Sequence, residues 1–165
     1  MNFRSQAAFV AAGFDGFIAV RQLRRNTDQI PSQRGIYVVL RLANSPPRFR
    51  KRSSAGHHKR RDPTVEVGTL RRAWIADTCL LYIGKAGGKT QRSTLQSRVS
   101  AYLRQGNGGN AGHAGGRAIW QLTDASSLVI AWKVIPRGNP RVHEKELIAR
   151  FKLVYQRRPF ANRTG

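Results

Sequence analysis

Leu80-Leu81-Tyr82-Ile83-Gly84-Lys85-Ala86-Gly87 is a short apolar run that ends in a glycine turn and carries a tyrosine and a lysine. An apolar run bounded by turn residues predicts a buried β-strand over residues 79–85. Earlier in the chain, Gly35-Ile36-Tyr37-Val38-Val39-Leu40 has the same character and predicts a strand over 35–41. A third run, Leu128-Val129-Ile130-Ala131-Trp132-Lys133-Val134-Ile135, is stopped by Pro136. Between and after these strands the apolar spacing is helical. A helix is expected over 95–104, capped by Ser93 or Thr94. Another is expected over 141–154, opened by Asn139-Pro140. Short helices are expected over 4–12 and 17–23, and residues 65–74 read as a strand and a short helix. The pattern predicts an α+β fold: a small three-stranded antiparallel or mixed sheet flanked by helices. One domain over 1–165 is expected, with an N-terminal helical extension over 1–33 and a core over 34–163.

Thirty Lys and Arg oppose eight Asp and Glu, a formal net charge of +22. Such a surplus repels itself in a compact chain and favours a polyanionic partner, and its Arg content suits bidentate phosphate contacts. Nucleic acid is therefore the expected partner. The single cysteine, Cys79, excludes an intramolecular disulfide and reads as a buried core thiol. With no cysteine pair, a structural zinc site is not expected. No apolar stretch approaches membrane-spanning length, and Asp15 with the Arg-rich stretch 21–25 argues against reading residues 4–12 as a secretory leader. No membrane partner and an intracellular location are the expectation.

The charge is densest between the first two strands. Asn44-Ser45-Pro46-Pro47 breaks structure, and residues 48–61 then hold Arg, Lys and His almost without acids before Asp62-Pro63. This basic insertion, 42–64, reads as an exposed loop or flap. Arg48, Arg50, Lys51, Arg52, Lys59, Arg60 and Arg61, with Arg117 beyond, either track a phosphate backbone or form a solvated insertion that binds nothing specific. Adjacent His57 and His58 point in different directions and have no acid or cysteine near them, so they read as loop. The glycine-rich stretch 106–116 reads as a linker that lets a phosphate backbone approach closely.

Two polar residues border apolar helix stripes. In the last helix Leu147, Ile148 and Phe151 form the buried stripe, and Glu144 continues it while Glu146 lies off it. A carboxylate at the edge of an apolar face is costly unless a basic group or a metal ion pairs with it. A first-turn Glu is also favoured by the helix dipole alone. In the middle helix Leu95, Val99 and Tyr102 share a face bordered by Arg98, which either aims its guanidinium at an anion or covers the core with its stem. Gly84-x3-Gly88-Lys89-Thr90 comes close to a nucleotide-binding P-loop but has three residues between its glycines where the motif needs four.

Taken in order, these residues resemble the GIY-YIG nuclease family. Gly35-Ile36-Tyr37 is similar to the first half of its motif and Tyr82-Ile83-Gly84-Lys85 to the second. Arg98 with Tyr102 is similar to its helix pattern, Glu144-x-x-Leu147-Ile148 to its single-carboxylate helix, and Asn162 to its terminal asparagine. The family joins its first two strands by a short hairpin, where this chain has the basic insertion. The resemblance implies metal-dependent hydrolysis of phosphodiester bonds, by an endonuclease acting on DNA. Glu144 would hold Mg²⁺ or another divalent cation such as Mn²⁺, and Arg98 would contact the phosphate. Tyr37 would serve as general base or orient water, with Lys85 and Tyr102 as activating neighbours. Tyr82 would position water or phosphate, and Asn162 would orient Glu144 or close the site. A ribonuclease or structure-specific nuclease of the same chemistry, and a nucleic-acid-binding protein without catalysis, are the alternatives.

Overall fold

A computed structural model describes residues 2–57, 62–88, 92–110 and 116–162. The elements are α1 (Gln6–Ala11), β1 (Asp15–Ala19), α2 (Val20–Leu23), β2 (Gly35–Leu40), α3 (Val67–Ala73), β3 (Leu80–Ala86), α4 (Leu95–Gly106), β4 (Val129–Val134) and α5 (Pro140–Tyr155). Short 3-10 turns cover Arg117–Gln121 and Ala125–Ser127.

The fold is α+β, and its sheet has four strands rather than three, in the order β1-β4-β2-β3 with every neighbour antiparallel. The extra strand comes from the N-terminal stretch, which is therefore not a purely helical extension. Residues 15–19 pair with β4, and only residues 20–23 turn helical. The apolar run Phe17-Ile18-Ala19-Val20 has no period that favours a strand, so the tertiary partner decides. The pairing needs a bulge between Asp15 and Ile18, made by Gly16 at φ +92° and Phe17 at φ +54°. Gly16 is required there, because a Cβ would stand 2.5 Å from the Trp132 ring.

Both faces of the sheet are covered. On one, Tyr37, Val39, Tyr82, Ile130 and Trp132 pack against Leu95, Val99, Tyr102 and Leu103 of α4. On the other, Ile36, Val38, Leu40, Leu80 and Ile83 pack against Phe9 of α1 and Leu147, Ile148 and Phe151 of α5. Burying each large apolar side chain stabilises by about 1.5–3 kcal/mol. The α5 stripe is thus strong enough to hold a polar neighbour at its edge. Cys79 is the expected core thiol: it is buried, its Sγ lies 3.2 Å from Phe3 O, and burial pushes its pKa up to about 11.

Strands β2 and β3 pair in full despite the long connection between them, with Tyr37 opposite Gly84 and Val39 opposite Tyr82. The next pair is Leu40 with Leu80, so Leu81 is an extra residue bulged out of register. The described part of the connection is not a free flap. Phe49 bridges to Leu122, Arg50 N donates to Gln121 O at 2.8 Å, and Gly56 N donates to Gln105 O at 2.8 Å. The fully buried Gln121 side chain holds the segment from within: it accepts from Val65 N at 2.6 Å and donates to Val65 O at 2.8 Å and Arg50 O at 3.2 Å. No strand forms at 65–66. Instead Glu66 caps α3, accepting from Gly68 N at 2.6 Å and Thr69 N at 2.7 Å.

Candidate active site

The glycines of the two signature strands are fixed by close approach. Gly35 lies under α4, where a Cβ would collide with Lys133 O and stand 2.9 Å from Leu95 Cδ1. Gly84 lies under the Tyr37 ring, where a Cβ would stand 2.6 Å from Cε1 and from the hydroxyl oxygen. Tyr37 is thereby held flat across β3, with its ring centroid 6.0 Å from that of Tyr82. Tyr82 in turn stacks on Tyr102 at 5.9 Å and 17°. Tyr102 packs 4.6 Å from Trp120.

Tyr37 and Tyr102 are fully buried, and Tyr82 keeps 8% exposure at the edge of the sheet. Burial pushes the Tyr37 and Tyr102 phenols well above their ordinary value of 10.0, and the neighbouring Tyr82 adds to both shifts. The Arg98 guanidinium opposes the rise at Tyr37. A side-chain hydrogen bond links the Tyr37 and Tyr82 hydroxyls; it adds to the rise at Tyr37 and pulls Tyr82 the other way. Tyr82 is still raised by burial, and Glu144 adds to the rise.

Arg98 and Glu144 reach this edge from opposite faces. Arg98, half-buried on α4, acts electrostatically on Tyr37, Tyr82 and Glu144. Glu144 lies in the first turn of α5, whose N-terminus is capped by Asn139 accepting from Arg141 N at 3.0 Å. Its half-buried carboxyl is raised by desolvation, against the pull of Lys85, then Arg141, Arg98 and Lys145. None of these cations reaches it within 4.0 Å: the ion pairs among the described residues are Arg41–Asp124, Arg72–Glu66 and His143–Glu146. Glu146 is exposed, as its place off the stripe predicts.

Two expected neighbours sit elsewhere. Lys85 alternates to the α5 face of β3 and acts on Glu144, while Arg98 is the cation whose charge lowers the Tyr37 pKa. Asn162 does not orient Glu144. Its carboxamide pairs with the open edge of β3, Oδ1 accepting from Ile83 N and Nδ2 donating to Ile83 O, both at 2.9 Å. The tail that delivers it is a turn, with Asn162 N donating to Pro159 O at 2.9 Å. It is anchored by Phe160, whose ring lies 5.1 Å from Trp74 and 5.9 Å from Phe49.

Arg48, Arg50, Lys51 and Arg52 are exposed and Arg117 is half-buried, while His58, Lys59, Arg60 and Arg61 lie outside the described residues. Gln121 escaped the sequence reading. Its one signal was a polar side chain inside the apolar run Ile119-Trp120-Gln121-Leu122.

Among the described residues no three His, Cys, Asp or Glu side chains gather as a ready metal cage. Among the described residues Glu144 is the carboxylate at the site. A desolvated carboxylate without an ion pair fits a hard divalent cation that keeps several waters and takes one carboxylate plus substrate phosphate. It does not fit a dedicated all-protein site. No helix among the described residues is long and apolar enough to cross a membrane. The chain matches no protein-family model, no curated protein sequence and no solved structure.

Proposed function

We propose that the chain is a metal-dependent endonuclease that hydrolyses phosphodiester bonds, with DNA as its substrate. One observation carries the reading: a half-buried guanidinium, a desolvated carboxyl without an ion pair among the described residues and a hydrogen-bonded tyrosine pair act on one another around strand β3 in a strongly basic chain. A core needs none of this, and a half-buried carboxyl there is a net cost.

Arg98 binds the scissile phosphate and stabilises the charge that builds on its oxygens. Glu144 would hold one Mg²⁺ or Mn²⁺ with water completing the shell. That ion, when bound, supplies the charge that neutralises phosphate and leaving oxygen. Lys85 lies on the same side and holds Glu144 toward its ionised form. A side-chain hydrogen bond couples the Tyr37 and Tyr82 hydroxyls, so the buried Tyr37 fixes where the Tyr82 hydroxyl sits. Tyr82 thus positions the attacking water, and Tyr37 orients Tyr82. The raised Tyr37 pKa works against its use as a base in the free protein. Asn162 acts through β3, keeping Tyr82 and Gly84 in place. The same burial of Tyr37 favours the second reading, a nucleic-acid-binding protein without catalysis.

Supercoiled plasmid, single-stranded DNA and structured RNA, each with Mg²⁺ and with chelator, test the proposal beside Glu144→Gln. Metal-dependent cutting lost in the variant supports it, and the preferred substrate separates DNA from RNA. Tight binding without cutting on all three selects the second reading.

A further inference from the structure

The surplus charge is not spread evenly. Arg24, just past α2, lies with its guanidinium 5.5 Å from the Trp120 ring centroid and donates from Nη2 to Gly106 O at 3.0 Å. Those two contacts hold it in place while leaving it exposed. Arg50 stands close enough to repel it: burial and the Arg50 charge together lower the Arg24 pKa. Arg50 is itself held at the backbone from both sides, its N–H donating to Gln121 O and its carbonyl accepting from Gln121 Nε2. Neither guanidinium takes part in an ion pair among the described residues, and the other stretches contain no Asp or Glu. Two like charges, one pinned at its guanidinium and the other anchored at its backbone, with no acid between them are a standing cost that a bound anion removes.

We propose that Arg24 and Arg50 form a second phosphate clamp that grips the nucleic-acid backbone away from the cleavage centre. The inference rests on the nucleic-acid reading above and brings the N-terminal β1–α2 unit into the binding surface. Arg98 and Gly106 are eight residues apart on α4, an axial separation of about 12 Å. That corresponds to roughly three to four phosphates at the ~3.4 Å per-strand rise of a duplex. The stretch of α4 between carries the small, half-buried Ser100 and Ala101 and one further exposed cation, Arg104. Arg21, one turn before Arg24, extends the clamp.

The test is binding of a labelled DNA duplex in chelator between 50 and 200 mM salt, with wild type, Arg24→Gln, Arg50→Gln, the double variant and Arg150→Gln on the outer surface of α5. Loss of two phosphate contacts makes the slope of log affinity against log salt shallower by about 1.8 in the double variant and about 0.9 in each single one. Arg150→Gln leaves the slope unchanged. Arg24→Lys, which keeps the charge, restores the slope even if stacking on Trp120 suffers. Should Arg24→Gln unfold, the exposed Arg50→Gln still reads one contact. A wild-type slope in the folded double variant overturns the clamp and leaves the nuclease reading intact. A slope that depends on the pair, with no metal-dependent cutting, overturns the nuclease reading and leaves the clamp. No binding to DNA or RNA, or binding to anionic lipid vesicles alone, overturns both.

Discussion

The Tyr37 ring lies against the Cα of Gly84, with no room between them for a methyl group. The glycine of one signature strand is therefore the floor on which the tyrosine of the other rests. Gly84→Ala must push that ring away. Overpacking of this kind costs about 1–3 kcal/mol, a fall in the melting midpoint of roughly 2–12 °C for a chain of this size. Cleavage falls further than stability, because Tyr82 loses the partner that orients it. A calorimetric scan beside a cleavage assay checks this, and an unchanged midpoint would contradict the packing argument.

Glu144→Gln is expected to abolish cleavage, leave binding nearly intact and raise stability at neutral pH. The folded-state pKa of Glu144 lies above its unfolded value. Between the two the folded chain holds a proton that the unfolded chain has lost, so stability falls as pH rises through that window. Below the unfolded value of ~4.3 wild type and variant converge. Above the folded value the variant is the more stable. Urea midpoints across acid to neutral pH measure the difference, and a variant less stable at neutral pH would mean the carboxylate is well paired. Glu146→Gln, out in solvent, leaves cleavage unchanged.

Asn162→Ala leaves the amide and the carbonyl of Ile83 without their partners. Each lost bond costs about 0.5–1.5 kcal/mol. Amide exchange at Ile83 should accelerate, with interior amides of β2 unchanged. Protection at Ile83 equal to wild type would show that the tail is not what secures this edge.

Three of the four tyrosines, Tyr37, Tyr82 and Tyr102, ionise above 10.0. Their folded pKa values are raised, so stability falls once pH climbs past the unfolded value near ~10. Absorbance titration should show late, cooperative ionisation that coincides with alkaline unfolding. Tyr37→Phe removes one of these late ionisations and lowers cleavage without shifting any acidic limb of its pH profile. A tyrosinate at Tyr37 appearing in folded protein near neutral pH would restore it as a base.

The sequence made strands β2, β3 and β4 and the two long helices legible because their signals are local. Uninterrupted apolar runs end at Gly or Pro, and Thr94 and Asn139-Pro140 announce helix starts. Glu144 and Arg98 were legible for the same reason, as polar side chains at the borders of apolar stripes. The fourth strand was not, because Gly16 and Phe17 take positive φ only once Trp132 lies against them. The docked connection was hidden behind its own composition. A run of Arg and Lys looks solvated, and the residue that holds it, Gln121, lies more than fifty positions further on. Asn162 could be placed at the site by resemblance, but its partner is main chain, and main-chain partners leave no mark in a sequence.

The C-terminal turn also bears on how the protein behaves in company. It occupies β3's outer edge, with Ala161 N bonded to Leu81 O and Asn162 to Ile83, while the bulge at Gly16 and Phe17 distorts the opposite margin at β1. Unguarded sheet margins invite other chains to add strands. A chain of +22 is protected from its copies in dilute solution by repulsion, but a polyanion cancels that repulsion and crowds the copies along its length. There the guarded margins take over as the barrier to aggregation, and neighbouring molecules remain separate folded units.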